Sequence, residues 1–350
     1  MTLRFLALCL VLAAPLGAVE SVKWSERLPR DAKWLAGEQG RAIAENLLLY
    51  QYPSGGWPKN IDMAKPLTSA ERAELEERAH DDATIDNGAT TTQIKFLARS
   101  YVATQEPRYR AAAERGIDYL LAAQYPNGGW PQYFPLRKGY YTHITFNDDA
   151  MVRVLEVLRA VGEGSEPFSW VDDARREKAR AAVARGVDCI LKCQIVQNGI
   201  LTAWCAQHDE TTFAPAWARK FEPPSIASRE SATIVNFLMS LPRPWPEIVR
   251  AVDAAVAWFE KTPVHGIRWT EKPTATGMER FAERDPAAPD TWARFYELGT
   301  DRPVFMGRDS VVHYDVNEIE LERRNGYGWY SEQPRSVLKA YRSWKAKLQP

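Results

Sequence analysis

The chain has 350 residues, of which 45% are hydrophobic and 26% charged, and its 45 Lys and Arg side chains balance its 45 Asp and Glu side chains. This composition indicates a folded globular protein with a sizeable core and excludes a disordered chain. Because the net charge is zero, no overall field favours nucleic acid or an anionic membrane, and neither is an expected partner.

The N-terminus has the pattern of a secretory signal peptide. Arg4 precedes an apolar run that begins at Phe5 and is followed by small residues up to Ala18. The pattern predicts cleavage after Ala18, removal of residues 1–18, and export to the periplasm or out of the cell. No later apolar run reaches the ~20 residues that a membrane helix needs. Residues 19–350 are therefore expected to form one soluble, monomeric module.

The sequence repeats a helical unit. QYPSGGWPKN begins at Gln51, QYPNGGWPQY at Gln124 and a degenerate third copy, QIVQNGILTAW, at Gln194, while a weaker fourth copy ends at Trp269. Apolar residues before the second and third loops recur with the i, i+4, i+7, i+8 spacing of an amphipathic helix. A short polar cluster and a second helix follow each of the first three loops, so the unit recurs about every seventy residues, as in repeat architectures.

Repeated helical hairpins bury their apolar faces by stacking into an open solenoid or a closed ring. Units of this length favour the ring. The predicted fold is dominated by α-helix: an α/α toroid of about three repeated hairpins over residues 34–270. Residues 271–350, rich in arginine, aromatic and acidic side chains, are expected to form a smaller irregular lobe and a final helix near Pro334 to Leu348. The glycine-containing loops and the polar clusters would then share one rim.

Each of the first two loops carries a tryptophan, Trp57 in the first copy and Trp130 in the second. The glycines permit positive φ and close backbone approach, and the flanking prolines stiffen the loop. Two interpretations stay open: the indole plugs the end of the toroid, or its flat face binds a sugar ring of the substrate. Lys59 is the distinctive polar residue of the first loop and a further candidate for substrate binding.

The polar clusters hold more carboxylates than helix capping requires. Asp86 opens DNGAT, while Asp148 and Asp149 follow Asn147 in NDDAM. One capping side chain satisfies a helix N-terminus, where the helix dipole also favours negative charge. Capping therefore leaves Asp148 or Asp149 available, and oxygen donors from both clusters would suit Ca²⁺.

Arginines form the other charged cluster. Arg219 and Arg229 follow the third loop, Arg308 lies in MGRDS, and Arg323 and Arg324 lie in ERRNGY. Arginine binds carboxylates through paired hydrogen bonds. The alternative is a set of surface ion pairs, and for Arg323 that alternative is the stronger one. Aromatic side chains, a divalent cation and arginines on one face of an exported protein would match an acidic polysaccharide.

Three cysteines follow the predicted signal peptide: Cys189, Cys193 and Cys205. A zinc site could combine Cys193 and Cys205 with His208, but the spacing matches no standard zinc pattern. One optional disulfide, or buried thiols that pack as small apolar side chains, is the favoured alternative.

Five blocks run in order along the chain from about Trp34: QYPNGGWPQYFP, ITFNDDAM, FEPPSIASRES, WARFYELGTDRPVFMGRD and EIELERRNGYGWY. Together they resemble the pectate lyases of the tenth polysaccharide lyase family. The resemblance implies an α/α toroid that cleaves polygalacturonate by Ca²⁺-assisted β-elimination. It also implies that Arg308 is the Brønsted base, that Arg219 binds substrate, and that Asp86 and the NDDAM carboxylates serve calcium and substrate.

The implied chemistry is consistent with these residue types. Removal of the C5 proton of a galacturonate spreads charge onto the C6 carboxylate, where Ca²⁺ and Arg219 would neutralise it. Because arginine is normally protonated, Arg308 as base predicts an alkaline optimum, with Lys59 or Lys220 as the reserve base. Two other functions stay open: a toroidal glycoside hydrolase with paired carboxylates, which would form no ultraviolet chromophore, and a non-catalytic acidic-glycan binding protein.

Overall fold

The structure is a computed structural model of the chain and describes residues 23–25, 28, 31–275 and 277–348. The predicted signal peptide, residues 1–18, lies outside the described residues. Within those ranges, no helix combines the length and the apolar character needed to cross a membrane.

Eleven α-helices occur in the described part of the chain. They are α1 Ala32–Ala36, α2 Glu38–Tyr50, α3 Ser69–Glu77, α4 Thr91–Thr104, α5 Pro107–Ala122, α6 Ala150–Glu163, α7 Asp173–Cys193, α8 Ser228–Met239, α9 Pro246–Lys261, α10 Leu321–Asn325 and α11 Gln333–Lys347. Three consecutive pairs pack against each other: α4 with α5, α6 with α7, and α8 with α9. Each pair begins at a polar cluster and ends just before a loop, so the packed unit is cluster, helix, helix, loop.

Local sequence explains where several of these helices begin and end. Pro107 starts α5, where no backbone donor is needed, and the Glu106 side chain accepts a hydrogen bond from a first-turn amide. Asp172 caps α7 by accepting a hydrogen bond from Arg175 N at 2.9 Å. Helix α6 ends at Gly164, whose φ of 65° is a conformation that glycine adopts without strain.

Twelve short strands in the described residues form five small sheets. They are β1 Ile144–Thr145, β2 Val196–Gln197, β3 Ile200–Leu201, β4 Gln207–His208, β5 Ser225–Ala227, β6 Ile267–Thr274, β7 Gly277–Arg284, β8 Trp292–Ala293, β9 Phe295–Glu297, β10 Pro303–Met306, β11 Val312–His313 and β12 Tyr330–Ser331. One sheet has the order β11-β10-β9-β5, and the others are the pairs β1-β4, β2-β3, β6-β7 and β8-β12. All are antiparallel, and Ile226 of β5 lies opposite Tyr296 of β9.

The prediction of an all-α-dominated toroid is wrong. About 47% of the residues are helical, but 14% lie in strands that form several small sheets. The sheets arise because segments between the helices are themselves buried, as β1, β4 and β5 are. Buried backbone amides and carbonyls need partners, and outside helices they find them in strand pairs. The predicted irregular lobe likewise contains the β6-β7 hairpin and most of the four-stranded sheet.

The tryptophans of the repeated loops are buried. Trp57, Trp130 and the third-copy Trp204 are each 0% exposed. Each indole N–H donates to a carbonyl near the end of the preceding helix, at 2.8, 2.8 and 2.7 Å; the acceptors are Leu47, Leu120 and Ile190. Because neither indole presents a face to solvent, burial favours the interpretation that Trp57 and Trp130 are internal plugs over the interpretation that they bind a sugar ring.

In each of the three copies, a glutamine side chain forms hydrogen bonds that connect the loop to the following helix pair. Gln51, Gln124 and Gln194 each donate from Nε2 to one carbonyl within their own loop and to one carbonyl on the next loop-preceding helix. The acceptor pairs are Gly55 and Ala112, Gly128 and Ala182, and Thr202 and Ala251. The repeated motif is thus a structural connection between helix pairs in all three copies.

The cysteines are free and buried, and they do not form the zinc site considered above. His208 Nε2 accepts a hydrogen bond from Cys205 N at 3.0 Å, and His208 Nδ1 donates to Phe213 O at 2.8 Å. Both ring nitrogens are therefore engaged. Burial lowers the pKa of His208 to about 4 and raises the pKa of Cys205, as expected for core side chains.

Candidate active site

Two short 3₁₀ turns, just before α4 and α6, hold the acidic residues. They span Asp86–Gly88 and Asn147–Asp149, and they contact each other. Asn87 has φ 51° and ψ 31°, and the equivalent Asp148 has φ 49° and ψ 34°. This left-handed conformation is uncommon outside glycine, and Asn and Asp adopt it most readily. The backbone of the turns therefore favours the residue types of DNG and NDD, independently of any ligand.

Asp86 is buried and pairs with Lys59 of the first loop. Its Oδ1 atom has no hydrogen-bond partner among the described residues. The Lys59 ammonium also lies 5.6 Å from the centre of the Tyr133 ring. Burial disfavours the ammonium charge, but the hydrogen bond and the charge of Asp86 outweigh it and raise the pKa of Lys59. Lys59 is therefore a protonated partner of the turn.

The second turn places two carboxylates beside two arginines. Asp148 accepts hydrogen bonds from Asn147 Nδ2 at 2.8 Å and from Arg294 Nη2 at 3.2 Å. The guanidinium of Arg229 lies 3.7 Å from Asp148 and 4.0 Å from Asp149. Asp149 Oδ1 is buried and has no hydrogen-bond partner within the described ranges. The turn thus offers one carboxylate with cationic neighbours and one with an unused oxygen.

A buried ion pair between Arg294 and Glu230 supports this turn. The two residues are 3% and 1% exposed, and their side chains are hydrogen-bonded. Burial disfavours both charges, and it raises the pKa of Glu230. For Arg294 the carboxylates of Glu230 and Asp148 outweigh burial and raise the pKa, so the guanidinium stays charged. Removing one partner of such a pair costs about 3–5 kcal/mol, so Arg294 is firmly placed against Asp148.

Three arginines surround the ring of Phe221. The guanidinium carbons of Arg219, Arg308 and Arg323 lie 5.1, 4.6 and 4.8 Å from the ring centre, within the range of cation–π contacts. Arg219 also forms two hydrogen bonds to the carboxylate of Glu222. That pair outweighs burial and raises the pKa of Arg219.

Arg308 forms a second, more exposed ion pair. Its Nη2 and Nε atoms donate to Glu322 at 2.9 and 3.1 Å, and the two side chains are 48% and 65% exposed. The hydrogen bond to Glu322 raises the pKa of Arg308. Because exposed ion pairs contribute only about 0–1 kcal/mol, Arg308 can exchange Glu322 for another anion at little cost.

An open cleft with a volume of about 380 Å³ is lined by Arg219, Arg308 and Arg323, the three arginines that contact the Phe221 ring, and by Glu322. Guanidinium groups and rings alternate along it with separations of 4.4, 4.0, 4.8 and 4.6 Å. This arginine–aromatic stack consists of Arg294, Tyr327, Arg323, Phe221 and Arg308. Aromatic faces attract cations, so the rings hold like charges close together. The remaining polar lining includes Asp148, Arg219, Arg229 and Glu322.

The structure brings together some of the site residues that were predicted from the sequence. One cleft is lined by Asp148, Arg219, Arg229 and Arg308. Lys59 lines a neighbouring pocket together with Asn87. Arg324 instead pairs with Glu279 of β7 at 2.8 Å and is not among the residues that line the cleft. The structure thus pairs Arg324 with the β6-β7 hairpin, while its neighbour Arg323 lines the cleft.

Sequence reasoning missed Arg294, Glu222 and Glu230. One signal was present in the sequence: Arg294 lies in the otherwise apolar run WARFY, and a charged residue needs a partner if such a run is buried. The partner itself could not be identified, because Glu230 lies 64 residues earlier. These features define an open, arginine-rich cleft whose charges are suited to an anionic ligand.

Comparison with known proteins makes the assignment more specific. A family model described as pectic acid lyase matches residues 51–338. The solved family 10 polysaccharide lyase from Cellvibrio cellulosa is 34% identical, with a TM-score of 0.77 and coverage of 90% of this chain and 95% of that chain. A mutant of the family 10 polysaccharide lyase from the same organism has been solved in complex with trigalacturonic acid. It is 34% identical, with a TM-score of 0.76 and coverage of 90% of this chain and 97% of that chain. The comparison with curated proteins finds no match. The chain belongs to the pectic acid lyase family and is a polysaccharide lyase.

Proposed function

We propose that this pectate lyase is an exported enzyme that cleaves α-1,4-linked polygalacturonate by Ca²⁺-assisted β-elimination. Arg308 is the proposed Brønsted base, and the products are 4,5-unsaturated oligogalacturonates. The observation that carries the proposal is one open cleft in which the arginine–aromatic stack lies beside Asp148 and Arg219. The complex of a similar enzyme with trigalacturonic acid supports the substrate class, and the N-terminal sequence supports export.

The carboxylates of the two turns are the oxygen donors assigned to calcium in this proposal, and the ion would draw them together, since among the described residues the ligand atoms of Asp86, Asp148 and Asp149 do not all lie within 4.8 Å of one another. Asp86 Oδ1 and Asp149 Oδ1 are buried carboxylate oxygens without hydrogen-bond partners among the described residues. Such atoms are costly to bury unless a ligand satisfies them, and carboxylate oxygens are the ligands that Ca²⁺ prefers. Asp86, Asp148 and Asp149 are therefore the residues that would hold the ion. When bound, Ca²⁺ would neutralise the uronate carboxylate and so favour loss of the C5 proton.

Arginines of the cleft bind and orient the uronate groups in this proposal. Arg219 exchanges Glu222 for a substrate carboxylate, and Arg229 exchanges the turn carboxylates for another. Paired guanidinium–carboxylate hydrogen bonds fix the plane of each carboxylate. A fixed sugar ring keeps its C5 proton close to the base, which removes much of the entropic cost of proton transfer.

Arg308 accepts the C5 proton in the proposed step. The C5–H electrons form the C4–C5 double bond as the C4–O4 bond breaks and the leaving oxygen departs. In the free protein the hydrogen bond to Glu322 raises the pKa of Arg308, whereas the charge of Arg219 acts in the opposite direction. Release from Glu322 therefore favours the neutral form. Because arginine is still a very weak acid, activity is expected to rise toward alkaline pH.

The test is the Arg308→Lys variant. Loss of a positioned base lowers kcat by about 10²- to 10⁴-fold, while binding of trigalacturonate, measured by calorimetry, stays nearly unchanged. Arg302→Lys is the matched control, because Arg302 stacks on Tyr314 at 3.6 Å and is not among the residues that line the cleft. If Arg308→Lys loses binding but the bound complex reacts at the normal rate, Arg308 is not the base. A large kcat loss in Arg219→Lys alone would transfer the role to Arg219.

A further inference from the structure

We propose that Arg323 is a positioning residue that takes over the Glu222 carboxylate when Arg219 turns to a substrate carboxylate. The inference rests on the proposed function, in which Arg219 binds a uronate group. It adds an exchange of ion-pair partners within the protein and assigns a role to a buried side chain in the wall of the cleft.

Arg323 is a buried cation whose hydrogen-bonding capacity is not fully used. It lies on α10 and is 3% exposed. Its guanidinium carbon is 4.0 Å from the centre of the Tyr327 ring, 4.8 Å from that of Phe221 and 5.1 Å from that of Trp329. The Nε and Nη2 atoms have no hydrogen-bond partner within the described residues. Because buried charged groups are costly without hydrogen bonds, this state of Arg323 indicates a second state in which a partner is present.

Glu222 is the carboxylate within reach. Its Oε1 atom lies 3.6 Å from Arg323 Nη2, which is an ion-pair distance but too long for a hydrogen bond. Arg219 Nε donates to Glu222 Oε2 at 2.8 Å, and Arg219 Nη2 donates to Oε1. The Tyr327 hydroxyl lies 3.4 Å from the same Oε1 atom. Glu222 is therefore bonded to Arg219, while a second guanidinium stands next to it.

The exchange prevents Glu222 from being left without a hydrogen-bonded cation when substrate binds. If Arg219 leaves for a substrate carboxylate, Glu222 remains as a buried, unpaired charge, since only 9% of the residue is exposed. Leaving one partner of a buried pair uncompensated is strongly unfavourable. A movement of under about 1 Å would bring Arg323 Nη2 to hydrogen-bond distance from Glu222. Arg219 is then released, and Glu222 keeps a guanidinium partner.

Arg323 acts through Glu222 and Arg219 and not on the reacting atoms in this proposal, because its side chain is almost fully buried and packs against the rings of Phe221 and Tyr327. The expected signature is consequently a change in substrate affinity. Loss of Arg323 raises the cost of freeing Arg219, which raises KM and weakens trigalacturonate binding. The proton transfer itself is unaffected once the substrate is bound, so kcat stays nearly constant.

The first measurement compares Arg323→Gln with Arg324→Gln. Arg324 is the adjacent residue but pairs with Glu279 on the hairpin. Arg323→Gln is expected to raise KM and the trigalacturonate Kd about 10- to 100-fold, near the lower end of the losses of about 30-fold or more found when one partner of a buried interfacial pair is removed, with kcat changed less than about threefold. Arg324→Gln leaves both constants near wild type. An equal loss of kcat and kcat/KM in Arg323→Gln would overturn the proposal.

The decisive measurement is a double-mutant cycle with Glu222→Gln. A neutral residue 222 needs no cation, so Arg323→Gln added to Glu222→Gln is expected to change KM less than about threefold. An undiminished effect in that background would show that Arg323 supports the fold only, and would overturn the exchange. Arg323→Lys keeps the charge and replaces the glutamine variant in the cycle if the latter does not fold. A wild-type protein without lyase activity would refute the proposed function, whereas normal activity with additive effects refutes only this inference.

Discussion

Gly128→Ala is expected to destabilise the protein far more than Gly139→Ala, although the two glycines have almost the same φ angle. Their φ angles are +93° and +91°. A Cβ atom at Gly128 would lie 2.0 Å from the carbonyl oxygen of Arg185 in α7, whereas a Cβ atom at Gly139 would have nothing within 4 Å. The comparison separates the cost of positive φ from the cost of close approach to a helix.

The expected magnitudes follow from these distances. Gly139 has φ 91° and ψ −158°, a region essentially restricted to glycine, so alanine there costs about 1–3 kcal/mol, and the reduced entropy of the unfolded chain returns about 0.4–1 kcal/mol. Gly139→Ala should therefore lose about 1 kcal/mol. At Gly128 the clash involves the backbone of a helix, which cannot move aside like the end of a flexible side chain, and overpacking adds about 1–3 kcal/mol. The total for Gly128→Ala is about 3 kcal/mol.

Urea unfolding followed by circular dichroism measures both variants against wild type, with the m-value as a check that the unfolding transition is unchanged. Equal destabilisation of the two variants, within about 0.5 kcal/mol, would show that the second loop is not held against α7. The structural interpretation of the repeated loop would then be incorrect.

Two further predictions concern pH and calcium. The folded state keeps His208 neutral with a pKa near 4, against about 6.5 in the unfolded chain, so its contribution to stability is present above pH 6.5 and is lost as pH falls toward 4. Between pH 7.5 and pH 5 this costs about 2 kcal/mol, and urea unfolding of His208→Gln at both pH values should show a correspondingly smaller loss; an equal loss would contradict the assignment. In the second prediction, a Ca²⁺ concentration one hundred times its Kd for the folded protein raises the free energy of unfolding by about 2.7 kcal/mol. Asp149→Asn should abolish most of the resulting rise in Tm and the exposed Asp173→Asn should not; an unchanged calcium effect in Asp149→Asn would remove Asp149 from the proposed ligands.

The helical part of the fold could be predicted from sequence because it is encoded locally. Apolar spacing before Gln124 and Gln194, together with the repeated loop, predicted helices that the structure shows as α5 and α7. The small sheets could not be predicted in this way. Their strands are often two or three residues long, and β5 pairs with β9 some seventy residues later, as Ile226 with Tyr296 shows. Such pairing depends on the assembled fold, and two-residue strands have no period to detect.

The site was partly predictable for a similar reason. Acidic residues grouped within one turn, such as Asp148 and Asp149, are visible as a sequence cluster. The buried ion pair between Arg294 and Glu230 cannot be recognised in the sequence, because each residue taken alone resembles a charged residue on the surface. Burial likewise decides the role of Trp130, since its sequence context permits both a buried indole and a sugar-binding face.

The most direct test of the central claim is the ultraviolet absorbance of polygalacturonate during incubation with the purified protein. β-Elimination forms a conjugated 4,5-unsaturated product, so absorbance should rise with Ca²⁺, stop with EDTA, and resume when Ca²⁺ is restored. Release of reducing ends without an increase in absorbance would contradict β-elimination. An increase that EDTA leaves unchanged would contradict the role assigned to calcium and to Asp86, Asp148 and Asp149.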